Sequence, residues 1–122
     1  MFKKLALLSL LLIFLLITIL SLLPPTSGVE IKNDKTGHFL AYTALSFNAL
    51  LFGLNQKKRL LFAVLILLYS AFIELIQSFI PGRTPSIMDL FANGGGIVFG
   101  LLMFTIFGRY FQSKLFLAKD NQ

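Results

Sequence analysis

The chain contains no cysteine. Disulfides, thiolate metal sites and thiol nucleophiles are therefore excluded, and so is lipoprotein processing, which acylates a cysteine. Charge is scarce too. Only 13% of the 122 residues are Asp, Glu, Lys or Arg, against about a quarter in ordinary soluble domains. There is a single histidine. No low-complexity linker, second domain or inverted repeat is visible, and the length fits one domain over 1–122. What remains is apolar: 57% of the residues are hydrophobic, and they fall in long runs. The class is integral membrane. The net charge of +6 reports orientation in such a chain, not nucleic-acid binding.

Four spans are predicted. The first runs from Leu5 to Leu23 behind Lys3 and Lys4. It is longer than a signal-peptide h-region, and Pro24-Pro25-Thr26-Ser27-Gly28 lacks a clean A-x-A-like site, so it reads as an uncleaved anchor. The second, His38 to Leu54, is the weakest, with Tyr42, Thr43, Ser46 and Asn48 inside it. The third is Leu60 to Ile80, interrupted by Tyr69, Ser70, Glu74, Gln77 and Ser78. The fourth, Ile87 to Phe107, is glycine-rich. Each is near the 17–25 residues that cross about 30 Å of hydrocarbon. Lys3, Lys4, Lys57, Lys58, Arg59, Arg109, Lys114 and Lys119 fall on one side, and Lys32, Lys35 and Arg83 on the other. The positive-inside rule then puts both termini in the cytoplasm of a multi-pass protein of the bacterial cytoplasmic membrane. The fold expected is all-α, an antiparallel bundle of four transmembrane helices.

That topology gathers the polar residues. His38 and Tyr42, spaced i, i+4, lie near the outer end of span two; Glu74 and Gln77 share a face of span three, roughly 9 Å below Ile80 in the case of Glu74. Asp89 and Asn93 share a face at the outer start of span four, and Arg83 sits in the loop between spans three and four. Hydrocarbon penalises each such group, so a layer of them under the outer headgroups calls for explanation. Gly96 and Gly100 form G-x-x-x-G on the Asp89–Asn93 face and allow close helix approach, with Gly94 and Gly95 extending the low-bulk stretch. Gly94–Gly96 is not a phosphate loop, because it lacks that motif's strand and lysine.

Structural readings stand beside the functional ones. Ser86-Ile87-Met88-Asp89 fits a capping box, and Asp34 can cap span two. His38 can sit at the wet interface, and Glu74 can be protonated or pair with Arg83 or His38. Arg83 can contact lipid phosphate. Gln77 and Asn93 suit hydrogen-bonding glue or orientation of a site. Tyr42 can be an interfacial aromatic, and Tyr69, near mid-span, needs a partner for its hydroxyl.

The motif residues resemble those of the VanZ-like membrane proteins. Asp34-Lys35-Thr36-Gly37-His38-Phe39-Leu40-Ala41-Tyr42 resembles the family's D-K-x-x-H-x-x-x-Y stretch. Glu74, Gln77, Pro81, Arg83, Ser86, Asp89 and Asn93 resemble its E-x-x-Q…P-x-R-x-x-S-x-x-D-x-x-x-N core in order and spacing. The resemblance implies a four-span fold and, through the founding member, an association with resistance to the glycopeptide teicoplanin.

The residues themselves suggest an outer-leaflet site. His38, Glu74 and Asp89 supply acid–base groups; Lys35, Tyr42, Gln77, Arg83 and Asn93 bind or orient a ligand. The partner expected is membrane lipid, with a lipid-linked cell-wall precursor or a glycopeptide as further candidates. No cofactor is called for; a divalent metal on His38, Glu74 and Asp89 is a variant that one histidine supports thinly. The alternative is a non-catalytic module that binds lipid or a partner. A small transporter is a third reading and would need oligomerisation. Oligomeric state is left open.

Overall fold

Leucine favours helix, and a run of apolar residues with no charge to solvate leaves the backbone to satisfy itself. The computed structural model describes residues 2–25, 34–52, 55–110 and 113. It contains four α-helices: α1 Phe2–Leu22, α2 Asp34–Leu50, α3 Gln56–Gln77 and α4 Ile87–Met103. A π-helical turn, Phe104–Gly108, prolongs α4. No strand occurs among the described residues. Among the described residues, three helices are long and apolar enough to cross a membrane: Lys3–Leu22, Gln56–Gln77 and Ile87–Gly108.

The boundaries have local causes. α1 closes with Leu23 N–H on the Ile19 carbonyl at 3.0 Å, and Pro24 and Pro25 forbid another turn. α2 has 17 residues and begins four residues before the expected His38. At that length it falls one residue short of the helices long enough to be counted as spanning. Of the expected second span, Gly53 and Leu54 lie outside the described residues, as does the Asp34 side chain. α3 starts four residues before Leu60 because Asn55 caps it: its Oδ1 accepts from Lys58 N–H at 3.0 Å. It stops before Ile80, where tightening turns end at Pro81. Ile80–Arg83 then forms a turn with Arg83 N–H on the Ile80 carbonyl at 3.1 Å. Proline at its second position and Gly82 at φ +81° at its third are what a type II turn requires.

α2 and α4 make the most extensive pairing. The small residues set it. Gly96 lies on the Phe39 carbonyl and Gly100 on Thr43 and Ser46. Thr43 Oγ1 donates to the Gly96 carbonyl at 3.1 Å, and Ser46 Oγ to the Ile97 carbonyl at 3.3 Å. Farther along, the Phe47 and Phe104 rings meet edge to face at 5.9 Å. These contacts ascend both helices together, so α2 and α4 run the same way.

The core is thin and holds Ile17, Tyr42, Leu45, Ala49, Ile66 and Ile97. Outside it, leucines of α1 and α3 such as Leu8, Leu12, Leu61 and Leu68 point away from the other helices, as a lipid-facing surface would. α1 is tied in by polar contacts. Asn48 Nδ2 donates to Ser9 Oγ at 2.7 Å. The Tyr69 hydroxyl finds its partner in Thr18 Oγ1 at 2.8 Å, and its ring lies 4.5 Å from that of Phe14. Such bonds replace the hydrophobic drive that is missing between helices in lipid.

Candidate functional site

Ser70, Ile73, Glu74 and Gln77 form the buried stripe at the C-terminal half of α3. The i, i+4, i+7 spacing places the three polar members on one face. Glu74 is 8% exposed. Its Oε2 accepts the Ser86 backbone N–H at 3.2 Å, so the carboxylate of one helix sits at the positive N-terminus of the next. This bond bears on Asp89. In a capping box the third helical residue would take the N-cap N–H. Here Ser86 makes no side-chain cap bond, and its N–H goes to Glu74. The capping explanation of Asp89 therefore loses its hydrogen bond.

His38 enters from α2 and is also 8% exposed. Its Nδ1 meets Asn93 Oδ1 at 2.9 Å. Asn93 Nδ2 donates to Ser70 Oγ at 2.7 Å, and Ser70 hydrogen-bonds the Tyr42 hydroxyl. Asn93 is 1% and Ser70 0% exposed, so this chain of side chains is held by packing on every side. With the Asn93 amide so placed, Nδ1 of His38 is the donor of this bond, and Nε2 is the ring's other nitrogen.

Asp89 completes the group from the first turn of α4. One donor atom each from His38, Glu74 and Asp89 lies within 4.8 Å of the others, with Asp89 half-buried. Three helices thus deliver an imidazole and two carboxylates to one point. At that separation and an effective dielectric near 20, two ionised carboxylates repel by at least roughly 3.5 kcal/mol. A proton, the imidazolium or another cation must offset this. The set can hold and move a proton, and it can ligate a cation.

The other candidate residues divide. Asn93 joins the cluster directly through His38, and Tyr42 joins it by way of Ser70 and Asn93. Gln77 and Arg83 reach α1. Gln77 Nε2 donates to the Ser21 carbonyl at 2.8 Å. Arg83 Nη2 donates to the Leu20 and Leu23 carbonyls, both at 2.9 Å, and Nε to Leu23 at 3.1 Å. These are carbonyls of α1's last turn and the residue after it, which lack partners within the helix, and a guanidinium complements that negative end. Lys35 is exposed at the start of α2, one turn from His38. Beside Glu74, an open groove of about 330 Å³ runs between α3 and the start of α4, along Leu75, Ser78, Pro85 and Ile87.

Ser70 is the site residue that sequence reasoning passed over. It was visible only as an interruption of span three. Its spacing of four from Glu74 and seven from Gln77 is the signal that would have marked it.

No curated protein and no solved structure matches the chain. A family model described as VanZ/LLP1 matches residues 2–108, which contain all four helices and every residue of the cluster. With three membrane-spanning-grade helices and this match over most of its length, the chain is a membrane protein that belongs to the VanZ/LLP1 family.

Proposed function

We propose that the His38–Glu74–Asp89 cluster is an active site at the extracytoplasmic membrane interface, binding or acting on a phosphate-bearing lipid or lipid-linked cell-wall precursor. The observation that carries this reading is the convergence of the three side chains within 4.8 Å from three helices. In it, the chain crosses the bacterial cytoplasmic membrane four times, with helices of alternating direction and both termini inside. Two contacts support the ordering. Arg59, at the start of α3, lies 5.1 Å over the Phe104 ring beyond α4, while Glu74 near the end of α3 meets Ser86 before α4. The basic start of α3 and the acidic cluster therefore lie at opposite ends of the α3–α4 pair.

Each residue has a role in this reading. His38, with its Nδ1 on Asn93, presents Nε2 as the proton acceptor or donor. Glu74 and Asp89 complete the acid–base set. Lys35 and Arg83 add positive charge at the rim, Arg83 while anchoring α1. Tyr42, Gln77 and Asn93 position the rest. The groove beside Glu74 gives a lipid lateral access. The link to teicoplanin resistance rests on family resemblance.

The test is release of phosphate from lipid-linked phosphates by purified protein in mixed micelles. General acid–base groups contribute about 10²–10⁴-fold, so the double variant His38→Ala, Glu74→Gln should fall at least about 100-fold below wild type. Equal turnover by both would sink the catalytic reading. A second reading, a non-catalytic lipid- or partner-binding module, is favoured by the Glu74–Ser86 bond, which gives Glu74 a structural task. It requires that wild type bind lipid phosphate without turnover and that the same variant lose binding.

A further inference from the structure

We infer that His38 Nε2, Glu74 and Asp89 form a three-ligand site for a divalent transition-metal ion of the zinc class. Nothing in this donor set requires the ligand to be a lipid phosphate, so the site stands apart from the reading above.

Four observations converge. The first is donor chemistry. One imidazole nitrogen and two carboxylate oxygens make the mixed N/O set that zinc accepts, and three protein ligands leave a coordination position open. The second is reach. One ring nitrogen of His38 and one oxygen of each carboxylate lie within 4.8 Å of one another. On a tetrahedral ion with bonds of about 2.0–2.2 Å they would stand about 3.4 Å apart, a contraction of side chains alone.

The third is the support behind the histidine. A metal-bound imidazole commonly gives its other N–H to a fixed acceptor, which sets the tautomer and aims the ring. Here Nδ1 meets Asn93 Oδ1 at 2.9 Å, and Asn93 is held by Ser70 at 2.7 Å. Asn93 and Ser70 are both sealed from outside. The ring is thereby fixed in orientation at the meeting point of the three helices. The fourth is charge. Two carboxylates side by side, one of them more than nine-tenths buried, favour a cation between them.

The experiment uses the full chain in detergent micelles, stripped with chelator and then titrated with Zn²⁺ or Co²⁺. About one ion per chain is expected after desalting. Co²⁺ should give the visible absorption of a low-symmetry N/O site. Zinc should raise the thermal unfolding midpoint, and chelator should reverse the rise. Glu74→Gln and Asp89→Asn, which keep shape and remove charge, should each weaken binding at least about 100-fold. Asn93→Ala should weaken it about 10–100-fold through the histidine. Thr105→Ala, on the far side of the π turn's start, should bind like wild type. Absence of ion uptake by wild type, or undiminished uptake by both carboxylate variants, overturns the proposal. If a variant does not fold, the wild-type titration decides alone: uptake without a shift in the unfolding midpoint also overturns it. Phosphate release is a separate readout, so a metal-loaded protein that turns over no lipid refutes the catalytic reading and leaves the metal site standing.

Discussion

Replacing Gly96 by alanine is expected to destabilise the protein by about 3 kcal/mol, the upper end for overpacking. The same change at Gly94 or Gly95 is expected to be neutral or to stabilise by up to about 1 kcal/mol. The three glycines are consecutive, so composition and helix propensity cannot separate them. Their surroundings do. A Cβ on Gly96 would collide with the Phe39 carbonyl oxygen and approach Thr43 N at 3.1 Å. These are backbone atoms, and they can move only if α2 moves. A Cβ on Gly95 would rest 3.7 Å from the Phe39 ring, and one on Gly94 3.8 Å from Leu67 Cδ1; both are ordinary van der Waals distances. There the gain in helix propensity acts unopposed. Gly100→Ala belongs with Gly96→Ala, because its Cβ would lie 2.7 Å from the Thr43 carbonyl oxygen. Thermal unfolding in detergent of the four single variants checks the split. Equal effects at all four would mean that α2 and α4 are not in this register.

Asn93→Ala is expected to destabilise by about 2–4 kcal/mol. The loss comes from what Asn93 leaves behind. Its amide accepts from one buried group and donates to another, His38 Nδ1 at 2.9 Å and Ser70 Oγ at 2.7 Å. Removing one partner of a buried hydrogen bond costs about 1–3 kcal/mol for the group stranded, and here two are affected. Ser70 retains Tyr42, so its share is the smaller. Ser70→Ala, which removes a small hydroxyl and leaves Asn93 bonded to His38, should cost less than Asn93→Ala. The comparison is again a pair of unfolding curves. A loss below about 0.5 kcal/mol for Asn93→Ala would show that the His38–Asn93–Ser70 chain does not hold the helices.

Much of this was legible because apolar runs and polar interruptions carry period and depth. Glu74, Asp89, Asn93 and His38 were placed in one layer by span order, loop charge and helical spacing, and the structure brings all four side chains together. The close approach at Gly96 and Gly100 followed from their shared face. Other features depended on which helix faces which, and no periodicity encodes that. Arg83 and Gln77 read as site residues from their spacing; their hydrogen bonds to α1's carbonyls, more than fifty positions away in sequence, are a contact that spacing does not encode. Asp89 read as a possible cap because Ser86 precedes it at the right interval. The competing acceptor, Glu74, comes from the preceding helix. The early start of α3 was missed because Asn55 caps ahead of a basic stretch, Lys57-Lys58-Arg59, that hydropathy assigns to a loop.

The side of the membrane on which the cluster opens is the most direct question, and the chain's lack of cysteine makes it answerable. Thr84 is exposed in the loop two residues before Ser86, and Lys57 is exposed at the start of α3. Single variants Thr84→Cys and Lys57→Cys can be treated in intact cells with a membrane-impermeant thiol reagent. Labelling at position 84 before permeabilisation, and at position 57 only after it, is the expected result. Labelling at 57 but not at 84 in intact cells would put His38, Glu74 and Asp89 on the cytoplasmic side and contradict an outer-leaflet site.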